Sequence, residues 1–292
     1  MSAPRPHSLF SGAFVDITDF RCRRPDTACG AEEHAPSDQI VFVRAGVFVR
    51  HHGARQILAE PAGVLLFNRH QPYRVSHPCG IGDACTALSF APGVVATPFP
   101  VMSVRIAPKA LVRLQWLRRR LRAGVASPLE AEEVALYELR QVVTAMDRTN
   151  GKTPRGTATA ARRRRDIVEA TKFTLASRPE ARVTLSALAD AVECSPFHLA
   201  RIFREQVGLP VYQYLLRLRL TIALERVLDG GVNLSKLAFE LGFSSHSHLT
   251  TSFRRLFGLP PSRFANPKRR GTFSAHGFLP ESHGSLTSAN SA

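Results

Sequence analysis

Acidic side chains are scarce in this chain: 23 Asp and Glu stand against 39 Lys and Arg, a formal net charge of +16. Such an imbalance points to a polyanionic partner, nucleic acid ahead of a membrane surface. Long apolar runs are missing. No stretch of 18 apolar residues occurs, which excludes an ordinary spanning helix and a membrane partner of that kind. The start MSAPRPHSLFSGAF lacks the apolar region of a secretory peptide, so a cytoplasmic protein is expected. Cysteine is sparse and irregular, at positions 22, 29, 79, 85 and 194. That pattern is no secreted disulfide framework, and neither Cys22/Cys29 nor Cys79/Cys85 has the short spacing usual for zinc. Catalytic motifs are absent too: no Gly-rich phosphate loop, nucleophile elbow or paired-carboxylate motif appears. His51, His52, His70 and His77, with Glu60 and Asp83, are the only material for a metal-dependent barrel enzyme. They form no compact HxH signal, and adjacent His51 and His52 point to opposite faces of a strand. No enzyme, metal or cofactor is expected.

What is present is a folded protein, 44% hydrophobic and long enough for two ordinary domains. From residue 39 to about 106, short Val- and Phe-rich runs punctuated by Gly and Pro read as strands of a small antiparallel barrel or sandwich. After Pro108 the period changes to three and four. One amphipathic helix is expected over 109–122, with arginines between its leucines, and another over 128–148, opened by a Ser127-Pro128-Glu130 capping box. These helices can pack on each other, on the β-unit or across a dimer. The boundaries that follow are 1–150 for the first domain, 151–161 for a linker rich in Gly, Thr and small residues, 162–266 for a helical domain, and 267–292 for a frayed tail. Basic excess concentrates in the helical part, where residues 162–270 hold 19 Lys/Arg against 9 Asp/Glu.

An internal repeat lies there. LADAVECS at 188–195 matches LAFELGFS at 237–244, and HLARIFREQVGLP at 198–210 matches HLTTSFRRLFGLP at 248–260. Each copy reads as a short helix, a tight turn and a second helix. Thr184 and Asn233 are placed to cap the first helices, Ser195 and Ser245 the second. Small Ala189 and Ala238 allow a close, steep crossing, which is helix-turn-helix geometry. The turns are unequal: Gly242 takes positive φ freely, whereas Glu193 in the same repeat position would pay about 1 kcal/mol. The first turn is therefore expected to open slightly.

The stretch LAFELGFSSHSHLTTSFRRLFGLPPSRF, with SPFHLARIFREQVG before it, resembles the double helix-turn-helix domain of AraC/XylS-type bacterial transcription regulators, over residues 163–264. Residues 39–106, including GVLLFNRHQPYRVSHP, are similar to the cupin-like sensor domain of that class. The resemblance implies a two-domain α+β protein. A cupin-like jelly-roll barrel with two dimerisation helices would precede an all-α domain whose two helix-turn-helix units are joined by a linker helix, seven helices in all. It further implies double-stranded DNA, a small organic effector and RNA polymerase as partners, a homodimer, and activation of transcription. Base contacts carry over to Phe197, Ala200 and Arg201 on the first recognition helix and to Ser247, His248 and Thr251 on the second.

Side-chain chemistry agrees with those positions. The Arg201 guanidinium matches guanine O6 and N7, and Phe197 can press on a thymine methyl. Thr251 stands where a long basic residue is frequent in the class, so the second unit should discriminate less sharply. Ser195 and Ser245, at helix N-termini, can receive phosphates, as can Arg204, Arg254, Arg255 and Arg263. On the expected linker helix Arg217, Arg219 and Arg226 fall outside the apolar face. Phe42, Phe48, Phe67, Tyr73 and Phe90 would line an effector pocket if all pointed into the barrel. The alternative reading is an architectural or stress DNA-binding protein without an effector.

Overall fold

The computed structural model describes residues 5–22, 28–61, 63–80, 82–147 and 157–265. Its first half builds two antiparallel sheets. Strands β1 (Arg5–Ser11), β2 (Val15–Cys22), β9 (Asp83–Phe90), β4 (Asp38–Ala45), β7 (Val64–Phe67) and β10 (Ser103–Val104) form the larger, in that order. Strands β3 (Glu33–His34), β8 (Pro72–Ser76), β5 (Phe48–His52) and β6 (Arg55–Ala59) form the smaller. Among the described residues the sheets do not close into a barrel.

Strands β4, β7 and β9 are buried almost throughout. A strand covered on both faces needs no polar alternation, which is why these read as continuous apolar runs. With period two, Val41, Val43, Leu65, Phe67 and Cys85 enter the core between the sheets. Ile40, Phe42, Leu66, Leu88 and Phe90 enter the core on the opposite face. The expected β-region began at residue 39; β1, β2 and β3 precede it. In β2, Val15 and Ile17 alternate with Asp16 and Thr18, and that signal was available.

Helices α1 (Pro108–Arg122) and α2 (Pro128–Asp147) close over the outer face of the larger sheet. The Ser127 hydroxyl accepts the Glu130 N–H at 3.2 Å, the forward half of the capping box. Two arginines expected on the polar side of α1 are buried instead. Arg113 pairs with Glu138 of α2 at 2.5 Å, and burial holds the Glu138 carboxyl above the usual carboxylate range. Arg118 reaches Asp19 at 3.1 Å. The guanidinium can enter because a carboxylate waits for it, a condition that helical period alone does not reveal.

Helix α3 (Ala158–Ser177) starts with its N-cap Thr157 accepting from the Ala160 N–H, so residues 158–161 are helix where linker was expected. Most of the expected linker, and the tail beyond 265, lie outside the described residues. After α4 (Leu185–Ala191) and α5 (Pro196–Val207), helix α6 (Val211–Asp229) runs through the middle, followed by α7 (Leu234–Glu240), α8 (His246–Phe257) and α9 (Pro261–Ala265). Helices α3 to α9 are the seven that the resemblance implies.

The two halves are packed together. Leu220, Leu224 and Val227 of α6 share one core with Leu111 and Leu114 of α1 and with Phe42 and Leu88 of the sheet. At its edge Glu225 of α6 takes Arg44 of β4 at 2.6 Å and Arg118 at 3.3 Å, and both arginines also reach Asp19. The Leu58 N–H donates to Glu169 of α3 at 3.0 Å. Arg217 donates to the Ile106 carbonyl, and burial pulls its pKa down to about 10, so it stays charged at neutral pH. Arg217 and Arg219 therefore do not lie outside the helix's packed surface as expected; Arg226 does, paired with Glu240 at 2.5 Å.

Candidate nucleic-acid interface

Each helix-turn-helix unit is assembled by local chemistry. Thr184 accepts from the Ala187 N–H and Asn233 from the Lys236 N–H, starting α4 and α7. Ala189 and Ala238 are fully buried where each pair of helices crosses. Ser195 then accepts from the His198 N–H and Ser245 from the His248 N–H, starting α5 and α8. Gly208 and Gly258, both left-handed, end the recognition helices.

The two turns are alike, contrary to the opened first turn. Glu193 sits at φ +52° and Gly242 at φ +73°. In both, the next N–H returns to the buried alanine: Cys194 to Ala189 at 3.0 Å and Phe243 to Ala238 at 2.9 Å. Packing around Leu188, Leu199 and Phe203 imposes the left-handed residue, and the chain absorbs roughly 1 kcal/mol of strain at Glu193.

The recognition helices present the residues expected to meet DNA. On α5, Phe197 is 81% exposed, Arg201 and Arg204 face solvent, and Ala200 is half-buried. On α8, Ser247, Thr251, Arg254 and Arg255 are exposed, and so is Arg263 of α9. Ser195 is open and Ser245 half-buried. His248 is held more firmly: its Nδ1 lies 3.1 Å from the Ser244 hydroxyl and its ring meets Phe243 edge-on. His246 lies instead beside Thr250, at 3.4 Å.

Three features of this face were not foreseen. Arg201 bonds Glu205 at 3.3 Å and approaches His198 at 3.3 Å, so its guanidinium must leave an exposed pair to reach a base. Such a pair is worth about 0.3–0.5 kcal/mol, too little to obstruct a bidentate contact. Phe197 and Tyr212 flank an apolar groove with Val183 and Leu185. Arg219 ties the units together, donating to the Pro179 carbonyl at 2.6 Å, the Ala181 carbonyl at 3.0 Å and the Gly242 carbonyl at 2.9 Å. The lead into the first unit is thereby fixed to the turn of the second.

The aromatic residues proposed for an effector pocket do not meet. Phe48, Phe67 and Tyr73 lie between the sheets, while Phe42 and Phe90 point to the opposite face and pack under the helices. Strand parity separates them. Arg50, fully buried, fills the space beside the first group: it stacks 3.7 Å over the Phe67 ring and donates to the Leu66 carbonyl and Gln71.

Residues 188–266 match the family model described as a helix-turn-helix domain. A putative AraC-like transcription regulator of Streptomyces lividans is 35% identical over 100 residues, 34% of this chain and 33% of that one. The probable transcriptional regulator LumQ of Photobacterium leiognathi is 31% identical over 83 residues, 28% of this chain and 34% of that one. The chain thus spans about a third of the length of these curated relatives. ToxT from Vibrio cholerae is 10% identical, covering 87% of this chain and 98% of that one, and its TM-score of 0.33 is too low to define a shared fold. The C-terminal region carries a helix-turn-helix domain, similar in sequence to that of the AraC-like regulator. No described helix is long and apolar enough to cross a membrane.

Proposed function

We propose that the chain is a sequence-specific DNA-binding transcription regulator, cytoplasmic and without catalytic activity. The observation that carries this reading is the duplicated unit itself, with two capped recognition helices whose outward residues are exposed on a basic domain. Arg201 and Phe197 read bases through α5, and Ser247, His248 and Thr251 read them less sharply through α8. Arg204, Arg254, Arg255, Arg263 and the N-termini at Ser195 and Ser245 hold phosphates.

The N-terminal unit is read as a cupin-like sensor that answers a small organic effector, with activation of transcription through RNA polymerase as its output. A homodimer would form through α2, whose Leu129 and Val143 are exposed. The effector would bias one packing of α6 against the sheet over another, since equal affinity for both shifts nothing.

Titration of the full-length protein on a selected duplex and on a shuffled one tests the central reading. A regulator binds its site about 10³-fold or more tighter. Near-equal affinities would favour an architectural protein. Thermal shift against a metabolite panel, followed by operator titration with each hit, tests the effector.

A further inference from the structure

One buried cluster belongs to none of this. At the end of the larger sheet Cys22 closes β2, directly opposite Asp83, which opens β9. His77 follows β8 of the smaller sheet and bonds the Asp83 carboxylate at 2.6 Å. One sulfur, one ring nitrogen and one carboxylate oxygen lie within 4.8 Å of one another, and all three residues are buried. Cys85, two residues along β9, donates its thiol to the other Asp83 oxygen at 3.3 Å.

We propose that Cys22, His77 and Asp83 form a binding site for a thiophilic divalent cation of the zinc class, one that staples the two sheets together. The donor set decides the class. A thiolate and an imidazole suit zinc and discourage magnesium and calcium, which take oxygen. Charge also balances: a divalent ion with one thiolate, one carboxylate and a neutral imidazole leaves no net charge in a buried place, where an uncompensated one would be costly. Zinc bond lengths of about 2.0–2.3 Å place tetrahedral ligand atoms roughly 3.3–3.8 Å apart. To reach that separation the His77–Asp83 contact opens from 2.6 Å and any pair nearer the 4.8 Å limit closes. The Cys22 thiol proton goes to solvent, and the His77 proton that faces Asp83 moves to the other ring nitrogen, as the metal binds. Three protein ligands leave a fourth position for water, and Cys85 orients Asp83 from outside the ligand set, as outer partners of metal ligands do. The long spacing 22…77…83 conceals such a site from any search for paired cysteines, because the strands bring the ligands together.

This proposal stands apart from the DNA-binding reading, and its test does not involve DNA. Cobalt(II) is titrated into the metal-free full-length protein and followed by absorption. The expected result is one equivalent bound, with a thiolate-to-cobalt charge-transfer band that zinc abolishes by displacement. Cys22→Ser should remove that band, and His77→Gln should weaken binding at least about tenfold. Replacing Cys29, Cys79 and Cys194 together with serine should leave it intact. X-ray absorption of the zinc-loaded native protein needs no variant, and should show sulfur together with nitrogen and oxygen neighbours. Absence of the band from the native protein, its survival in Cys22→Ser, its loss in the triple variant, or a zinc shell without sulfur would each overturn the proposal.

Discussion

The first helix-turn-helix unit rests on a core of its own, in which Leu188, Leu199, Ile202 and Phe203 pack with Ile167, Leu175 and Tyr214. The second unit has the same sequence frame but no separate core. Its Leu237, Leu249 and Phe253 continue the core that passes through α1 and the outer face of the larger sheet. Two copies of one motif thus have different apolar cores, one built from the helices of its own domain and one shared with the N-terminal half. A motif's frame fixes how its helices cross; it does not fix what they stand on. A shift of the N-terminal unit would bear on the second unit through α6 and α8, and on the first through α3, where the Leu58 N–H meets Glu169, as well as through Arg219.

Breaking the shared foundation should have the largest effect. Glu225→Ala leaves Arg44 and Arg118 buried with only Asp19 in common, and is expected to cost about 3–5 kcal/mol in chemical denaturation of the full chain. A loss below roughly 1 kcal/mol would mean that the halves are not held by this cluster. Next comes the turn of the second unit. A methyl at position 242, where φ is positive, would strike the Glu180 carbonyl oxygen and the Arg219 guanidinium, so Gly242→Ala should cost about 2 kcal/mol or more. An unchanged denaturation midpoint would remove Arg219 as the tie between the units.

The two recognition faces can be compared directly on DNA. Arg201→Ala is expected to cost about 1–3 kcal/mol on the preferred site and to relax preference at one or two base pairs, whereas Thr251→Ala should cost less than about 1 kcal/mol. Equal losses would cancel the proposed difference in sharpness. The smallest effect belongs to the first turn: Glu193→Gly should stabilise by about 0.5 kcal/mol, as relief of left-handed strain outweighs the extra entropy of glycine in the unfolded chain. Destabilisation there would show that Glu193 makes a compensating interaction.

The C-terminal half was legible because its signals are local. Caps at Thr184, Ser195, Asn233 and Ser245, glycines at helix ends and apolar residues at three- and four-residue spacing are read within a dozen positions, and all appear where expected. What escaped depends on partners distant in sequence. Arg113 and Arg118 read as polar-face residues until Glu138 and Asp19 arrive to bury them. Phe42 and Phe90 read as pocket lining because parity on a doubly buried strand cannot be taken from an unbroken apolar run. The segment before residue 39 was missed although Val15 and Ile17 alternate with polar neighbours, since Asp19 breaks the pattern by being buried against Thr86 and Arg118. Glu193 shows the reverse error, in which a correct local cost was overruled by packing.

Selection of random-sequence duplexes by the full-length protein bears most directly on the claim that both units read DNA. The predicted outcome is a site about 17–20 base pairs long, with two preferred segments centred one helical turn, about 10 base pairs, apart, the segment under α5 being the sharper. Repeating the selection with Arg201→Ala should blur that segment alone. A single compact segment, or enrichment without any sequence preference, would contradict it.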